Sequence, residues 1–250
     1  MSIEKEVPFP VAAMVTHCCG LLRARLAQAP RAGVIIGCGN GDEVVYARRE
    51  LGTNKIFGID VESEFSARAR AENCVARSDA LRLPFLSTAF DFAAAFHSLE
   101  HVSDPVQALE EIWRVLRPGG WLYAGVPNRT RLLGYLGSFD ATFWEKISWN
   151  AKDWRARLRG DFRNEAGAHA GFDREELLRL LDARFCNVQF LTEEYLRFKY
   201  GRRLPRAALN LLLSPHLINF TAPAHYAICQ KAAQERAPAG RLCESNKIEA

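Results

Sequence analysis

No cysteine in this 250-residue chain stands three positions from another, so the C-x-x-C pairs of zinc sites and redox motifs are missing. The seven cysteines, at 18, 19, 38, 74, 186, 229 and 243, are an odd and scattered set. They suggest neither a disulfide framework nor a cysteine-held metal, and reduced thiols in a cytoplasmic protein are the plain reading. Long apolar runs are also lacking, which argues against a membrane-spanning helix. There is no internal repeat and no low-complexity block. Charge of one sign is scarce, since 33 basic residues against 29 acidic ones leave a net of +4. A dedicated DNA-binding domain would be far more basic. The first residues, MSIEKEVPFP, carry two glutamates where a secretory signal would be basic and then apolar.

What is present is ordinary globular composition, 48% hydrophobic, 25% charged and 10% aromatic. Residues 12–29 read as a helix closed by Pro30. Val34-Ile35-Ile36 is a short apolar run that ends in glycines, as a buried parallel strand does. A helix follows over 42–51, stopped by Gly52. Further strands are expected at 56–59, ending at Asp60, at 74–76, ending near Asp79, and at 90–96, with a helical stretch at 63–72. Asp104-Pro105 opens a helix that runs to a stop signal at Pro118-Gly119-Gly120. Trp121 to Val126 is a fifth strand. Such alternation argues for an α/β domain whose parallel sheet holds its ligand at the carboxyl ends of the strands.

Beyond Pro127-Asn128 the pattern breaks. Residues 129–171 mix aromatics with arginines and read as an insertion, helical in part. A clear helix spans 173–184, with Asp173 as N-cap and Glu176 three residues on. Residues 186–191 and 225–230 look like two more strands, and a second insertion at 199–222 is first basic and then apolar. The expected organisation is a helical segment at 1–29, a main domain at 30–231 containing both insertions, and a disordered polar tail at 232–250.

The chemistry lies in Gly37-Cys38-Gly39-Asn40-Gly41-Asp42, between a strand and a helix. A dinucleotide fingerprint, G-x-G-x-x-G, needs glycine where Asp42 stands. A carboxylate in the first helical turn repels a pyrophosphate and suits a ligand with cationic groups. Asp60 lies 19 residues beyond the last glycine, where an acid accepts from both ribose hydroxyls. Asp79 ends the next strand and could accept from an adenine amino group. Together these residues describe a nucleoside site without a pyrophosphate.

VIIGCGNG (34–41), GID (58–60), SDALRLPF (78–85), FDFAAAFHSLEHV (90–102), LEEIWRVLRPGG (109–120) and WLYAGVPN (121–128), in this order, resemble the class I S-adenosylmethionine-dependent methyltransferases, in particular their broad small-molecule group. The resemblance covers about residues 30–130 and, more weakly, 165–231. It implies a Rossmann-like α/β fold: a seven-stranded, mostly parallel sheet with helices on both faces, the last strand antiparallel, and a helical lid insertion after the fifth strand. It implies that Gly37, Gly39 and Gly41 line the methionine part of S-adenosyl-L-methionine. Asp60 would hold the ribose, Asp79 with the Ala80 backbone the adenine, and His97 would lie by the methionine moiety or the acceptor. One departure stands out. Family members carry an acid two positions before the first loop glycine, and this chain has Ile35, with Asp42 as the candidate to compensate.

Methyl transfer from a sulfonium is an in-line displacement, so alignment is the protein's main task, worth roughly 7–11 kcal/mol. An oxygen acceptor also needs a base, and His97, His101 and His169 are the candidates, in that order. His97-x-x-Glu100-His101 with His169 also permits a metal reading. The metal-free reading is retained. Positive charge gathers outside the core, with eight basic residues against four acids over 129–163 and five basic residues with no acid over 197–206. Either this is a solvated face, or it recruits an acidic acceptor or an anionic membrane surface. The apolar stretch 209–220 could line a lipophilic pocket, meet a partner chain or touch a bilayer surface. The reading taken forward is a cytoplasmic methyltransferase for a small-molecule, sugar or lipid-like acceptor, acidic or lipophilic, methylated at oxygen, with no DNA partner and with peripheral membrane contact. Its rivals are a catalytically inactive descendant, an RNA methyltransferase, and a nicotinamide oxidoreductase, the last disfavoured by Asp42.

Overall fold

The computed structural model describes residues 9–26, 28, 30–62, 64–135, 141–164 and 170–233. Each early element follows from local chemistry. Strand β1 (Gly33–Ile36) is fully buried and runs into the glycine loop. Helix α2 (Asp42–Leu51) starts at Gly41 and ends at Gly52, both left-handed, as helix-ending glycines commonly are. Strand β2 (Ile56–Asp60) leads to α3 (Ala67–Ala71), which is shorter than the helix expected over 63–72. Its start is set by Ser66, whose hydroxyl accepts from the Ala69 N–H and so caps the first turn. Strands β3 (Val75–Arg77) and β4 (Phe90–Phe96) follow, then a single 3-10 turn at Leu99–His101. Asp104 caps α4 (Pro105–Val115), with Pro105 in the first turn where its missing N–H costs little.

Pro118-Gly119-Gly120 does not separate that helix from the next strand. Strand β5 (Leu116–Pro127) begins at once, and the three residues form a bulge inside it. Gly119 supplies the left-handed conformation, φ 81°, while the Arg117 guanidinium pairs with Asp91 at 2.5 Å across the bulge. Later elements are α5 (Phe143–Arg159), α6 (Arg174–Asp182), β6 (Cys186–Phe190), α7 (Thr192–Tyr200), α8 (Arg206–Leu212), α9 (Ile218–Thr221) and β7 (Ala224–Gln230). Helix α7 lies where the sequence carries no clear signal.

Among the described residues seven strands form one sheet, in the order β3-β2-β1-β4-β5-β7-β6. The pairs β1·β2, β1·β4, β2·β3 and β4·β5 are parallel, while β7 runs antiparallel to both its neighbours. Alternate residues sort to the two faces. Ile35, Phe92, Ala94 and Tyr123 pack under α2, α7 and the N-terminal helix α1 (Phe9–Arg25). Val34, Ile36, Ala93, Ala95 and Leu122 pack under α4 and α6. The sheet is therefore a Rossmann-like one covered on both sides, with a last strand of opposite direction. Among the described residues no helix is long and apolar enough to cross a membrane. Among the described residues, Cys18, Cys19, Cys38, Cys74 and Cys229 are buried free thiols.

Gly58 of β2 lies under the start of α2. A Cβ there would fall 2.5 Å from Val44 Cγ2 and 2.6 Å from Cys38 Sγ. Gly58→Ala should therefore lower unfolding stability by about 1–3 kcal/mol, the usual cost of overpacking. A urea midpoint unchanged from the parent would refute this packing.

Candidate functional site

The strand order reverses between β1 and β4, and the loops leaving their carboxyl ends must part there. A cavity of about 360 Å³ opens at that point. Ile36, Gly37 and Gly39 form one wall, and Ile59, Asp60, Val61 and Glu62 at the end of β2 form the next. Ser78 and Ala80 follow β3, and His97, Ser98, Leu99, His101 and Val102 follow β4. The size suits a small molecule, and aliphatic walls with few polar groups are usual for such sites.

The loop leaving β1 is held from both sides. Gly37 and Gly39 have φ 68° and 52°, in the left-handed region. A Cβ on Gly37 would lie 2.3 Å from Ser98 Cβ, and the Ser98 hydroxyl donates to the Ile36 carbonyl at 2.7 Å. On the opposite side the Asp60 carboxylate accepts from the Gly39 N–H at 2.8 Å and from the Glu62 N–H at 3.0 Å. Nothing lies within 4 Å of a Cβ built on Gly39, so the backbone there faces open space.

After β4 the chain turns sharply. His97 has φ 55°, a conformation that a non-glycine residue adopts only when its surroundings impose it. Its N–H still donates to the Gly125 carbonyl at 2.8 Å, continuing the ladder with β5. The ring Nε2 is 3.4 Å from the Tyr226 hydroxyl and Nδ1 is 3.8 Å from Glu100 Oε1. His101 Nε2 stands 4.0 Å from the same oxygen. Glu100 is buried, and its Oε2 has no hydrogen-bond partner among the described residues. Burial pushes its carboxyl up to about 8, although the Arg131 charge and a backbone hydrogen bond pull the other way. Burial also raises the Tyr226 phenol well above its ordinary value, so Tyr226 stays neutral.

The cavity brings together Gly37, Gly39, Asp60, Ala80, His97 and His101 of the residues singled out from the sequence. Asp79 is exposed beside Ala80, and its Oδ1 accepts from the Leu81 N–H at 2.9 Å. Gly41 is not on the wall. A Cβ there would meet Ala69 and Val75, each at 2.7 Å, so this glycine serves the packing of α3 and β3. His169 lies outside the described residues, as does the tail beyond residue 233. Ile35 is buried in the core, and the Asp42 carboxylate accepts from the Asn40 side chain at 2.8 Å. The shielded acid of the loop region is the half-buried Glu43, whose carboxyl is pushed up to about 8 by desolvation and by the nearby Asp60 and Asp42 charges. Ser98, Glu62 and Tyr226 join the site without having been read from the sequence, and Glu100 had been read only as a metal ligand. The Glu-His pair after β4 was a usable signal for Glu100, whereas Tyr226 comes from a strand remote in sequence. Among the described residues no group of three His, Cys, Asp or Glu side chains is arranged to hold a metal ion.

Residues 34–124 match the family described as a methyltransferase domain. Residues 34–124 thus carry a methyltransferase domain, laid on the Rossmann-like sheet. Relatives include an uncharacterized 37.1 kDa protein in a Streptomyces fradiae transposon, 36% identical over 43% of this chain and 33% of that protein. A demethylmenaquinone methyltransferase of Oceanobacillus iheyensis is 26% identical over 60% of this chain and 73% of that protein. The chloroplastic 2-phytyl-1,4-beta-naphthoquinone methyltransferase of Arabidopsis thaliana is 34% identical over 33% and 36%. The match thus spans about a third of the first and third of these relatives. Two solved structures share the fold. The plantazolicin methyltransferase BamL aligns over 92% of this chain and 88% of its own, at TM-score 0.63 and 14% identity. A SAM-dependent methyltransferase of Thermotoga maritima, described as a possible histamine N-methyltransferase, aligns over 89% and 91%, at 0.51 and 20%.

The residues present fit S-adenosylmethionine, the cofactor that the sequence resemblance implies. The methyltransferase loop offers a glycine backbone open to solvent at Gly39, and the Asp60 carboxylate keeps lone pairs beyond its two backbone bonds. Ile36, Ile59, Val61, Leu99 and Val102 supply apolar walls for a base.

The buried Glu100 makes a pH-dependent contribution with a definite sign. Its folded-state value lies above the ordinary 4.5, so the stability it allows is complete below about pH 4.5 and is lost as pH rises through about 8. Glu100→Gln mimics the protonated acid. It should leave stability unchanged at low pH and raise it by about 1–3 kcal/mol above pH 8, since no buried charge then forms. Denaturant titrations at both ends check this, and a variant less stable than the parent at high pH would show the carboxylate to be paired.

Proposed function

We propose that this chain is an S-adenosylmethionine-dependent methyltransferase that methylates an oxygen of a small, lipophilic acceptor. The observation that carries the reading is the cavity at the switch point, which has Asp60 and the open Gly39 backbone on one wall and His97 on the other. When bound, S-adenosylmethionine supplies an electrophilic methyl group on a sulfonium sulfur. The chain's own residues then have separate tasks. Asp60 accepts from the ribose hydroxyls, with Glu62 beside it as a second acceptor. The Gly37 and Gly39 backbone gives close approach to the methionine part, and Ala80 contributes backbone to the adenine. His97, facing the cavity, takes the acceptor's proton at Nδ1, with its Nε2 held toward the neutral Tyr226 hydroxyl. His101 lies farther out, with its side chain 54% exposed, and is the weaker base candidate. A lipophilic acceptor of quinol type is favoured by two relatives that are named for menaquinone and naphthoquinone substrates.

Calorimetric titration with S-adenosylmethionine, S-adenosylhomocysteine and NAD tests the cofactor half. The first two should bind and NAD should not. Asp60→Ala should weaken S-adenosylhomocysteine by at least about tenfold, the loss of charged hydrogen bonds worth about 1.5–3 kcal/mol each. For the chemical half, labelled-methyl transfer to small phenols and quinols should fall about 10²–10⁴-fold in His97→Ala, the usual worth of a general base, with cofactor affinity retained. Binding of NAD alone would sink the reading. Cofactor binding without transfer to any such acceptor would favour the inactive descendant.

A further inference from the structure

Helix α5 is presented inside out. Phe143, Trp144, Ile147, Ala151, Trp154 and Leu158 recur at helical spacing and form a single apolar stripe. In a globular protein that stripe would face the core, yet no residue of α5 is buried. Phe143 is 70% exposed, Trp144 75% and Leu158 86%. The polar side is the one that meets the protein. Asn150 accepts from the Gly134 N–H and donates to its carbonyl, at 2.7 and 3.1 Å. Asp153 accepts from the Arg131 guanidinium at 2.9 Å and from the Tyr135 hydroxyl at 3.2 Å. These bonds fix the rotation of the helix, so the outward stripe is built in.

The apolar surface extends past the helix. The Trp154 indole N–H donates to the Leu132 carbonyl at 3.1 Å, and the Leu132 N–H donates to the Phe220 carbonyl at 2.8 Å. Leu132 thus joins α5 to α9, and Leu132, Leu133 and Phe220 are themselves about half exposed, at 49%, 51% and 46%. Along one edge of the stripe Lys152, Arg155 and Arg159 lie one helical turn apart, all exposed.

We propose that this face docks on an anionic lipid surface, with α5 lying flat in the headgroup layer. Exposed Trp, Phe and Leu flanked by Lys and Arg are what such a layer accommodates, the rings at the apolar boundary and the cations among the phosphates. A second copy is the poorer occupant, since its own row of cations would face this one. The lipid affinity is independent of the function proposed above.

The test is co-sedimentation of the full chain with vesicles of phosphatidylcholine alone and of phosphatidylcholine with phosphatidylglycerol. The protein should bind the anionic vesicles, less so as salt is raised, and leave the neutral ones. Trp144→Ser with Leu158→Ser, and separately Arg155→Gln with Arg159→Gln, should each lower partition by at least about tenfold. Far-ultraviolet circular dichroism and urea midpoints unchanged in both variants show that they are folded, and S-adenosylhomocysteine binding by the parent reports on the enzymatic reading independently. No sedimentation of the parent, or sedimentation equal in the variants, overturns the proposal. A concentration-dependent dimer abolished by the Trp144 and Leu158 changes, without vesicle binding, assigns the face to a second copy and also overturns it.

Discussion

At Gly37 the turn leaving β1 has room for backbone only, and the site is organised around that constraint. Ser98 fills the space where a Gly37 side chain would go and ties itself to the Ile36 carbonyl. Asp60 reaches in from β2 and takes the Gly39 N–H. The loop is thus clamped between strands on either side of the switch point, and the wall it offers to a ligand is preset rather than ordered on binding. Preorganisation of this kind reduces the conformational entropy a ligand would otherwise have to overcome.

Beside this rigid wall lies a region that violates ordinary rules of stability. His97 has a left-handed backbone, and Glu100 is buried with one oxygen unpartnered among the described residues. Neither feature helps the fold. Both are tolerated because β4 and β5 over-determine the backbone around them, through the His97-to-Gly125 hydrogen bond and a run of small alanines that lets α4 pack closely. Local penalties retained where the rest of a domain is consistent are most often found at functional positions.

Much of the architecture was legible because its signals are local. Helix α2 starts and stops at glycines, β4 is an unbroken apolar run, and α4 opens on a capping aspartate followed by proline. What was misread depended on neighbours distant in the chain. Pro118-Gly119-Gly120 has the composition of a turn, but Asp91 and β4 draw it into a strand as a bulge. At Gly41, α3 and β3 claim the space that a side chain would need, a reason for glycine that its spacing does not show. Glycine spacing reports where a side chain is excluded and not what excludes it. Tyr226 could not be assigned to the site at all, because only the antiparallel insertion of β7 beside β5 carries it to His97.

That insertion has a consequence for how the protein is made. Among the described strands β7 is the last in the chain, yet it occupies an interior position, between β5 and β6. Until residues 224–230 have been synthesised, both of those strands present open hydrogen-bonding edges, the kind that pair with other chains. Lys231 sets a further latch, because its ammonium caps the Trp113 and Leu116 carbonyls at the end of α4, at 2.9 and 2.8 Å. A chain stopped at Pro223 would hold the whole glycine-loop half and still leave both edges open, so residues 224–230 decide when the sheet closes.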